Sequence, residues 1–170
     1  MEYTHRYASP LGGITLASDG TALTGLWFDG QRHFARGLDD THAEQALPVF
    51  EEADHWLDRY FSGGDPGPVP PLRPKGTPFQ TAVWEALRSI PRGETATYAQ
   101  IARTLQKCNG RRTSARAVGG AVGRNPVSLM IPCHRVLGAN GTLTGYAGGV
   151  ERKAWLLALE RTTAAREKKR

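Results

Sequence analysis

A stretch rich in glycine and proline divides the chain into two parts. It reads SGGDPGPVPPLRPKGTP, Ser62–Pro78, and contains four glycines and six prolines. Neither a helix interior nor a central strand tolerates this composition, because proline lacks a backbone N–H and glycine leaves the backbone unrestrained. We therefore predict an N-terminal domain at residues 1–62, a linker at 63–77 and a second domain at 78–162. The chain of 170 residues is long enough for two small cores.

The two parts differ in charge. Residues 1–75 contain 6 Lys and Arg against 11 Asp and Glu, whereas residues 76–170 contain 16 against 5. A strongly basic half indicates a polyanionic partner such as nucleic acid, with a solvated basic surface as the alternative. Residues 163–170 are predicted to form a disordered basic tail, which explains only part of the excess.

The composition also excludes several classes of protein. The two cysteines, Cys108 and Cys133, are too few for a disulfide framework or a cysteine-rich zinc site, and the five histidines show no metal-ligand spacing. We therefore expect no metal and no cofactor. The chain has no apolar run of about 18 residues and no N-terminal signal pattern. These observations predict a cytoplasmic protein without a membrane partner.

The N-terminal domain is predicted to contain a small antiparallel sheet and one helix. The segments SPLGG and SDGT are typical of hairpin turns, and the apolar residues at Ile14–Ala17 and Ala22–Phe28 are typical of strands. From about His42 to Phe61 the apolar residues fall on one helical face. We find no catalytic pattern in this domain.

The second domain has the pattern of several short helices. Two capping boxes, TPFQ at Thr77–Gln80 and TYAQ at Thr97–Gln100, predict helix starts. An apolar stripe follows the first box, and it consists of Phe79, Val83, Leu87 and Ile90. Inward-facing residues follow the second box, and they are Ile101, Ala102 and Leu105.

A third helix is predicted at Ala115–Val122, capped by Ser114 or Thr113. Two short helices joined by a turn, with Arg116 on the second, form a helix-turn-helix pattern that many small domains share. The third helix is rich in small residues, which are Ala115, Ala117, Gly119, Gly120, Ala121 and Gly123. Such a thin helix suits a narrow groove, and close packing against another helix is an equal alternative.

The hexapeptide IPCHRV, Ile131–Val136, places a cysteine beside a histidine. A cysteine attacks as the thiolate, and neighbours in an extended strand point to opposite faces. His134 therefore reaches the thiol of Cys133 only where the backbone turns, and Pro132 favours a turn at this point. The pair alone leaves open a cysteine hydrolase with an orienting asparagine, and also an inert structural cysteine.

Two longer segments around this hexapeptide resemble the O6-alkylguanine-DNA alkyltransferases, especially the bacterial ones. They are GTPFQTAVWEALRSIPRGETATYAQIA from Gly76 and ARAVGGAVGRNPVSLMIPCHRVLGANGTLTGYAGGVERKAWLLALE from Ala115. The N-terminal half fits the variable domain of that family in length and order. The resemblance implies an α+β fold, with a ribonuclease-H-like domain of antiparallel sheet and helix before a helical winged helix-turn-helix domain.

The resemblance implies DNA repair by direct reversal of damage. The alkyl group of O6-methylguanine, and also of O4-methylthymine, would move to Cys133, and each molecule would act once. The target lies inside the duplex, so the base must be flipped out. The implied partner is double-stranded DNA, bound by a monomer through the minor groove, with side-by-side binding of several copies left open. A non-reactive protein that binds alkylated bases is the alternative, although such proteins replace the cysteine.

The residues that the resemblance assigns to catalysis are Cys133, His134, Glu160, Asn125, Tyr98 and Lys153. Cys133 accepts the alkyl group, and His134 removes its proton through a water with Glu160 behind it. Asn125 fixes the turn ahead of the site. Arg135 is interpreted as a positive group that holds the turn and favours the thiolate.

The resemblance assigns DNA binding to Tyr98, Arg116, Ala115 and Ala117. Tyr98 crowds the 3′ phosphate and donates a proton to the departing guanine, with Lys153 nearby. Arg116 occupies the space in the base stack that the flipped base vacates. The pocket for the base is assigned to Pro132, Tyr146, Ala147 and Gly148. Family members often carry serine at the position of Ala147, so here only the backbone amide can contact guanine O6.

The chain departs from the family pattern between Leu105 and Arg116. The sequence there is QKCNGRRTSA, a few residues longer than the usual turn. We predict a longer turn in which Arg111 and Arg112 contact DNA phosphates, with a solvated loop as the alternative. Cys108 is interpreted as an incidental residue in a loop.

Overall fold

The computed structural model describes residues 1–110 and 112–168. The chain forms two compact units. One consists of residues 1–75 with 126–128, and the other of residues 76–125 with 129–170. The α+β fold class predicted from the sequence is confirmed.

The first unit contains a four-stranded sheet in the order β3-β2-β1-β4. Strand β1 (Glu2–Ser9) pairs antiparallel with β2 (Gly12–Ser18), and β2 pairs antiparallel with β3 (Leu23–Phe28). Strand β4 (His42–Glu44) adds a parallel pair at the other edge of β1. Helix α1 (Pro48–Phe61) follows. The largest fully buried side chains of this unit are Ile14, Leu16, Leu23, Leu26, Phe28, Phe50 and Leu57.

The helix predicted from about His42 begins later, at Pro48. The prediction is wrong for His42–Glu44, whose backbone pairs with β1 instead. Proline at the first helical position is favourable because its missing N–H has no intrahelical partner there.

The glycine- and proline-rich stretch is largely an ordered part of the first unit and not a free linker. The N–H of Leu23 donates to the carbonyl of Pro71, and the N–H of Arg73 donates to the carbonyl of Leu23, both at 2.8 Å. Leu72 thereby forms a parallel bridge with Leu23. Backbone hydrogen bonds to an existing strand explain why proline-rich chain is ordered here.

The second unit is mainly helical. Its elements in chain order are α2 (Pro78–Arg88), β5 (Ala96–Thr97), α3 (Tyr98–Asn109), α4 (Ala115–Gly123), β6 (Val136–Leu137) and α5 (Val150–Lys168). Strands β5 and β6 form a small parallel sheet. Both predicted capping boxes are confirmed, and Ser114 caps α4 as predicted. The core of this unit includes Val83, Trp84, Leu87, Ile101, Leu105, Val118 and Leu156.

The connection between α3 and α4 is shorter than predicted. Lys107, Cys108 and Asn109 form the last turn of α3, so the prediction that Cys108 lies in a loop is wrong. Gly110 ends the helix in the left-handed conformation at φ 64°. Its N–H donates to the carbonyl of Gln106 at 2.9 Å. The helix therefore absorbs part of the extra sequence, because a glycine stands where a left-handed end is favourable.

The predicted disordered tail is wrong for residues 163–168, because α5 continues to Lys168. Thr163 is buried, and its hydroxyl donates to the carbonyl of Leu159 at 2.9 Å. Arg92 also forms an ion pair with Glu167. Residues 169 and 170 lie outside the described residues. None of the helices within residues 1–110 and 112–168 has the length and apolar character needed to cross a membrane.

Candidate active site

Cys133 lies in a tight turn, as the sequence predicted. Residues Cys133–Arg135 form one turn of 3-10 helix after Pro132, whose φ and ψ are −80° and 63°. The N–H of Cys133 donates to the carbonyl of Ile131 at 2.8 Å, and the N–H of Arg135 donates to the carbonyl of Pro132 at 3.0 Å. The turn buries both Cys133 and His134.

Asn125 fixes the backbone before this turn. It is buried, and its Nδ2 donates to the carbonyl of Ile131 at 2.8 Å. Burial raises the pKa of the Cys133 thiol, while a hydrogen bond with Asn125 and the charge of Lys153 oppose the shift. The thiol is therefore protonated at neutral pH, and a nucleophilic role requires a group that removes its proton.

His134 is paired with a buried carboxylate. The distance from its Nε2 to Oε2 of Glu160 is 2.6 Å, and both side chains are at most 1% exposed. We assign the shared proton to Nε2 from this geometry, because a carboxylate only accepts. Nδ1 is buried and has no hydrogen-bond partner among the described residues. It is therefore the nitrogen that remains to accept a proton.

Arg135 acts on the same carboxylate. Its Nε donates to Oε1 of Glu160 at 2.7 Å and its Nη2 donates to Oε2 at 3.2 Å. Its Nη1 donates to the carbonyl of Ile90 at 2.6 Å. Burial raises the pKa of the Glu160 carboxyl, but His134 and Arg135 lower it more, and the result lies well below the usual range. The side-chain hydrogen bonds of Arg135 thus go to Glu160 and Ile90, whereas Lys153 supplies a positive charge that lowers the pKa of the Cys133 thiol.

Lys153 joins two parts of the site through backbone carbonyls. It is buried, and its Nζ donates to Val136 at 2.5 Å and to Thr144 at 2.9 Å. The hydroxyl of Tyr98 also donates to the carbonyl of Thr144, at 3.4 Å. Burial raises the pKa of Tyr98, and so does the negative charge of Cys133 when its thiol is ionised, so the phenol remains a donor at neutral pH.

The segment Tyr146–Gly148 lies beside His134. The rings of His134 and Tyr146 meet edge to face, with centroids 6.5 Å apart. A Cβ at Gly148 would lie 2.5 Å from Cε2 of Tyr146, so a larger residue at this position would require the Tyr146 ring to move. Ala147 is partly exposed and Pro132 is buried.

Small residues of α4 lie on its exposed side. Ala115, Arg116, Ala117 and Gly120 are all exposed, and a Cβ at Gly120 would meet no atom within 4 Å. Close packing against another helix therefore does not explain these positions. The buried side of α4 instead carries Val118, Ala121 and Val122.

Exposed basic residues lie in α4 and in the neighbouring segments of the sequence. Between Thr95 and Val150 the sequence contains no Asp or Glu. The exposed basic residues of this stretch, within the part that the structure describes, are Arg103, Lys107, Arg112, Arg116 and Arg124. Arg111 lies outside the described residues. A stretch with exposed basic residues and no acidic ones suits a polyanionic partner.

The structure brings the predicted catalytic residues into one hydrogen-bonded region of the second unit. Sequence reasoning missed Ile90 and Thr144, because both contribute backbone carbonyls that no side-chain pattern reports. In the described parts of the chain, no group of three or more His, Cys, Asp or Glu is arranged to hold a metal ion.

Comparison with known proteins places both units in one family. A family model described as "6-O-methylguanine DNA methyltransferase, DNA binding domain" matches residues 78–162, and one described as its ribonuclease-like domain matches residues 3–66. The methylated-DNA–protein-cysteine methyltransferase of Haemophilus influenzae is 42% identical, over 95% of this chain and 87% of that protein. The protein of the same name from Methanosarcina acetivorans is 43% identical, over 91% and 95%.

A solved structure is similar over nearly the whole chain. It is the crystal structure of Mycobacterium tuberculosis OGT in complex with DNA, which is 41% identical. The alignment covers 95% of this chain and 94% of that one, with a TM-score of 0.83.

Proposed function

The chain belongs to the family of 6-O-methylguanine DNA methyltransferases, and from this premise we propose that it repairs DNA by transferring the alkyl group of O6-methylguanine to its own Cys133. The observation that carries the proposal is the buried Cys133–His134 turn with Glu160 behind it. We include O4-methylthymine as a second substrate, because its alkyl group is attached in the same way to an exocyclic oxygen.

The transfer is a displacement at carbon. The Cys133 thiol loses its proton to Nδ1 of His134 through a water, and the sulfur then forms a bond to the alkyl carbon. The bond from that carbon to guanine O6 breaks, and its electron pair stays with the base. The phenol of Tyr98 donates a proton to the departing guanine, which makes guanine a better leaving group. The phenolate then regains a proton from solvent, and His134 releases the proton of the thiol to solvent. The products are a thioether on Cys133 and an unmodified guanine.

Each molecule acts once under this proposal. A thioether is chemically inert, and none of the described residues near Cys133 offers a route to hydrolyse it. The protein is therefore a stoichiometric reagent as well as an enzyme. A monomer suffices, because Cys133, His134, Glu160 and Tyr98 all belong to the second unit of one chain.

DNA binding is proposed to occur through the minor groove with the damaged base flipped out. A helix enters this groove only if its exposed side is narrow, and the exposed alanines and glycine of α4 meet that condition. Arg116 stands among them and is proposed to occupy the vacated place in the base stack. Ala115, Ala117 and Tyr98 are proposed to contact the backbone near the flipped nucleotide.

The segment Tyr146–Gly148 and Pro132 are proposed to form the wall of the pocket that holds the flipped base. Ala147 offers no hydroxyl, so its backbone N–H is the proposed donor to guanine O6. Lys153 supports this wall through the carbonyl of Thr144 and stabilises the thiolate by its charge.

The decisive experiment is incubation with duplex DNA that contains a labelled methyl group on guanine O6, followed by protein mass measurement. We expect a gain of one methyl group, located on Cys133, and no gain in Cys133→Ala. The matched control is Cys108→Ala, which removes the other, exposed cysteine and should leave the transfer intact. Binding of the damaged DNA without any gain in mass would instead identify a non-reactive lesion-binding protein.

A further inference from the structure

Arg135 and His134 share the carboxylate of Glu160, and the charges of this cluster decide the protonation state of the histidine. His134 and Glu160 are at most 1% exposed, and the Arg135 side chain is 12% exposed. Arg135 donates two hydrogen bonds to the carboxylate, and His134 shares a third with it. With the imidazole uncharged, one negative and one positive charge balance.

Without the guanidinium of Arg135 the buried cluster would carry a net negative charge. The carboxylate would then be a buried charge that lacks its guanidinium partner and lies against a titratable imidazole. An unpaired buried charge is unfavourable, so the imidazole would take a proton from solvent to restore neutrality. A histidine that is already protonated has no free nitrogen to accept the proton of Cys133.

The other groups around His134 do not replace Arg135. From α5, Lys153 donates to two backbone carbonyls and its charge acts on Cys133. From α2, the nearest charged residues, Glu85 and Arg88, are exposed and pair with each other. The remaining titratable groups of the site are Cys133, Tyr98 and Tyr146.

We infer that Arg135 is a positioning residue that neutralises Glu160 and thereby keeps His134 an uncharged proton acceptor at rest. The inference rests on the proposed transfer to Cys133. It assigns a division of labour within the turn, in which Glu160 orients the imidazole and Arg135 prevents Glu160 from charging it. The anchor from Arg135 to the carbonyl of Ile90 holds the guanidinium in place.

The test compares pH profiles of Arg135→Gln, which removes the charge but keeps an N–H donor, and Arg135→Lys, which keeps the charge. All proteins carry Cys108→Ser so that a gain in mass reports Cys133. The first readout is the single-turnover rate with DNA containing O6-methylguanine. The second is the rate of Cys133 methylation by methyl iodide, which requires neither DNA nor base flipping.

We expect the acid limb of both profiles to move to higher pH in Arg135→Gln, by about one unit, as for loss of a nearby like charge. At alkaline pH its rate should recover to within about threefold of the unsubstituted protein. Arg135→Lys should keep the original midpoint even where its rate is lower. Rates that fall by the same factor at every pH, or a glutamine variant that does not fold beside a folded lysine variant, would overturn the inference in favour of a purely structural role.

Methyl transfer from DNA to the unsubstituted protein distinguishes failure of the proposed function from failure of the inference about Arg135. If the unsubstituted protein gains no methyl group from DNA, the proposed function fails. The methyl iodide profiles still decide whether Arg135 controls proton transfer from Cys133. If it does gain the methyl group and the profiles of the two variants coincide, only the role of Arg135 fails.

Discussion

The side-chain amide of Asn125 donates to the carbonyl of Ile131 at 2.8 Å, two residues before Cys133. Both residues are buried. The bond ties the end of α4 to the start of the reactive turn. It therefore connects the proposed DNA-binding helix with the nucleophile inside the same unit.

Asn125→Ala should destabilise the protein by about 0.5–1.5 kcal/mol, because it removes a buried hydrogen bond to the carbonyl of Ile131, which still accepts from the N–H of Cys133. It should also slow methyl transfer, because the turn that presents Cys133 loses its support. Denaturant unfolding and single-turnover rates measure the two effects. Asn109→Ala is the matched control, since Asn109 is exposed at the end of α3 and should change stability by less than about 0.5 kcal/mol. Equal stabilities of the two variants would contradict the prediction.

The stability that the ionised Glu160 carboxyl contributes to the folded state should decrease as the pH falls. His134 and Arg135 overcome the effect of burial and hold the pKa of the folded carboxyl below that of the unfolded chain. The unfolded state therefore binds more protons on acidification, and the contribution is present above the usual carboxyl pKa of about 4.3 and lost below it. Glu160→Gln should be less stable at neutral pH by about 3–5 kcal/mol, as for a broken buried ion pair.

The gap between Glu160→Gln and the unsubstituted protein should narrow as the pH falls through the carboxyl range. Urea unfolding at a series of pH values measures it. Glu94→Gln serves as the control, because Glu94 is exposed in the same unit and should show no such gap. A gap that stays constant or widens on acidification would show that Glu160 is not held ionised by its partners.

Local patterns explain the parts of the fold that the sequence predicted. The capping boxes at Thr77 and Thr97 fix helix starts through bonds within four residues, so no distant contact is needed to recognise them. Pro132 likewise restricts the backbone next to Cys133, and the predicted turn follows. These features depend on neighbouring residues only.

Long-range pairing explains the parts that the sequence did not predict. His42–Glu44 becomes a strand only because β1 lies beside it, and Arg73 is ordered by the carbonyl of Leu23. The role of Arg135 depends on Glu160, which is 25 residues away in the chain. Composition and periodicity do not indicate which distant residues will contact each other.

Arg111 and Arg112 should contribute to the salt dependence of DNA binding. Arg112 is exposed in the connection between α3 and α4, and residue 111 precedes it. If both contact phosphates, Arg111→Ala/Arg112→Ala should reduce the slope of log affinity against log salt by about two units. Arg161→Ala/Arg166→Ala on α5 removes the same charge elsewhere and is the control. A slope that differs from the control by less than about half a unit would favour a solvated loop.

Gly120→Ala should stabilise α4 but weaken its binding to DNA. A Cβ at this position meets no atom of the protein within 4 Å, and alanine is favoured over glycine inside a helix by about 0.5–1 kcal/mol. The variant should therefore unfold at higher denaturant concentration. If α4 enters a narrow groove, the added methyl group should nevertheless weaken binding to duplex DNA by about 1–3 kcal/mol, as in other overpacked contacts. Titration of labelled duplex measures the affinity, and Ala158→Val on the exposed side of α5 should leave it unchanged. Binding by Gly120→Ala that is as tight as that of the unsubstituted protein would exclude a groove contact at this position and return the small residues of α4 to a structural role.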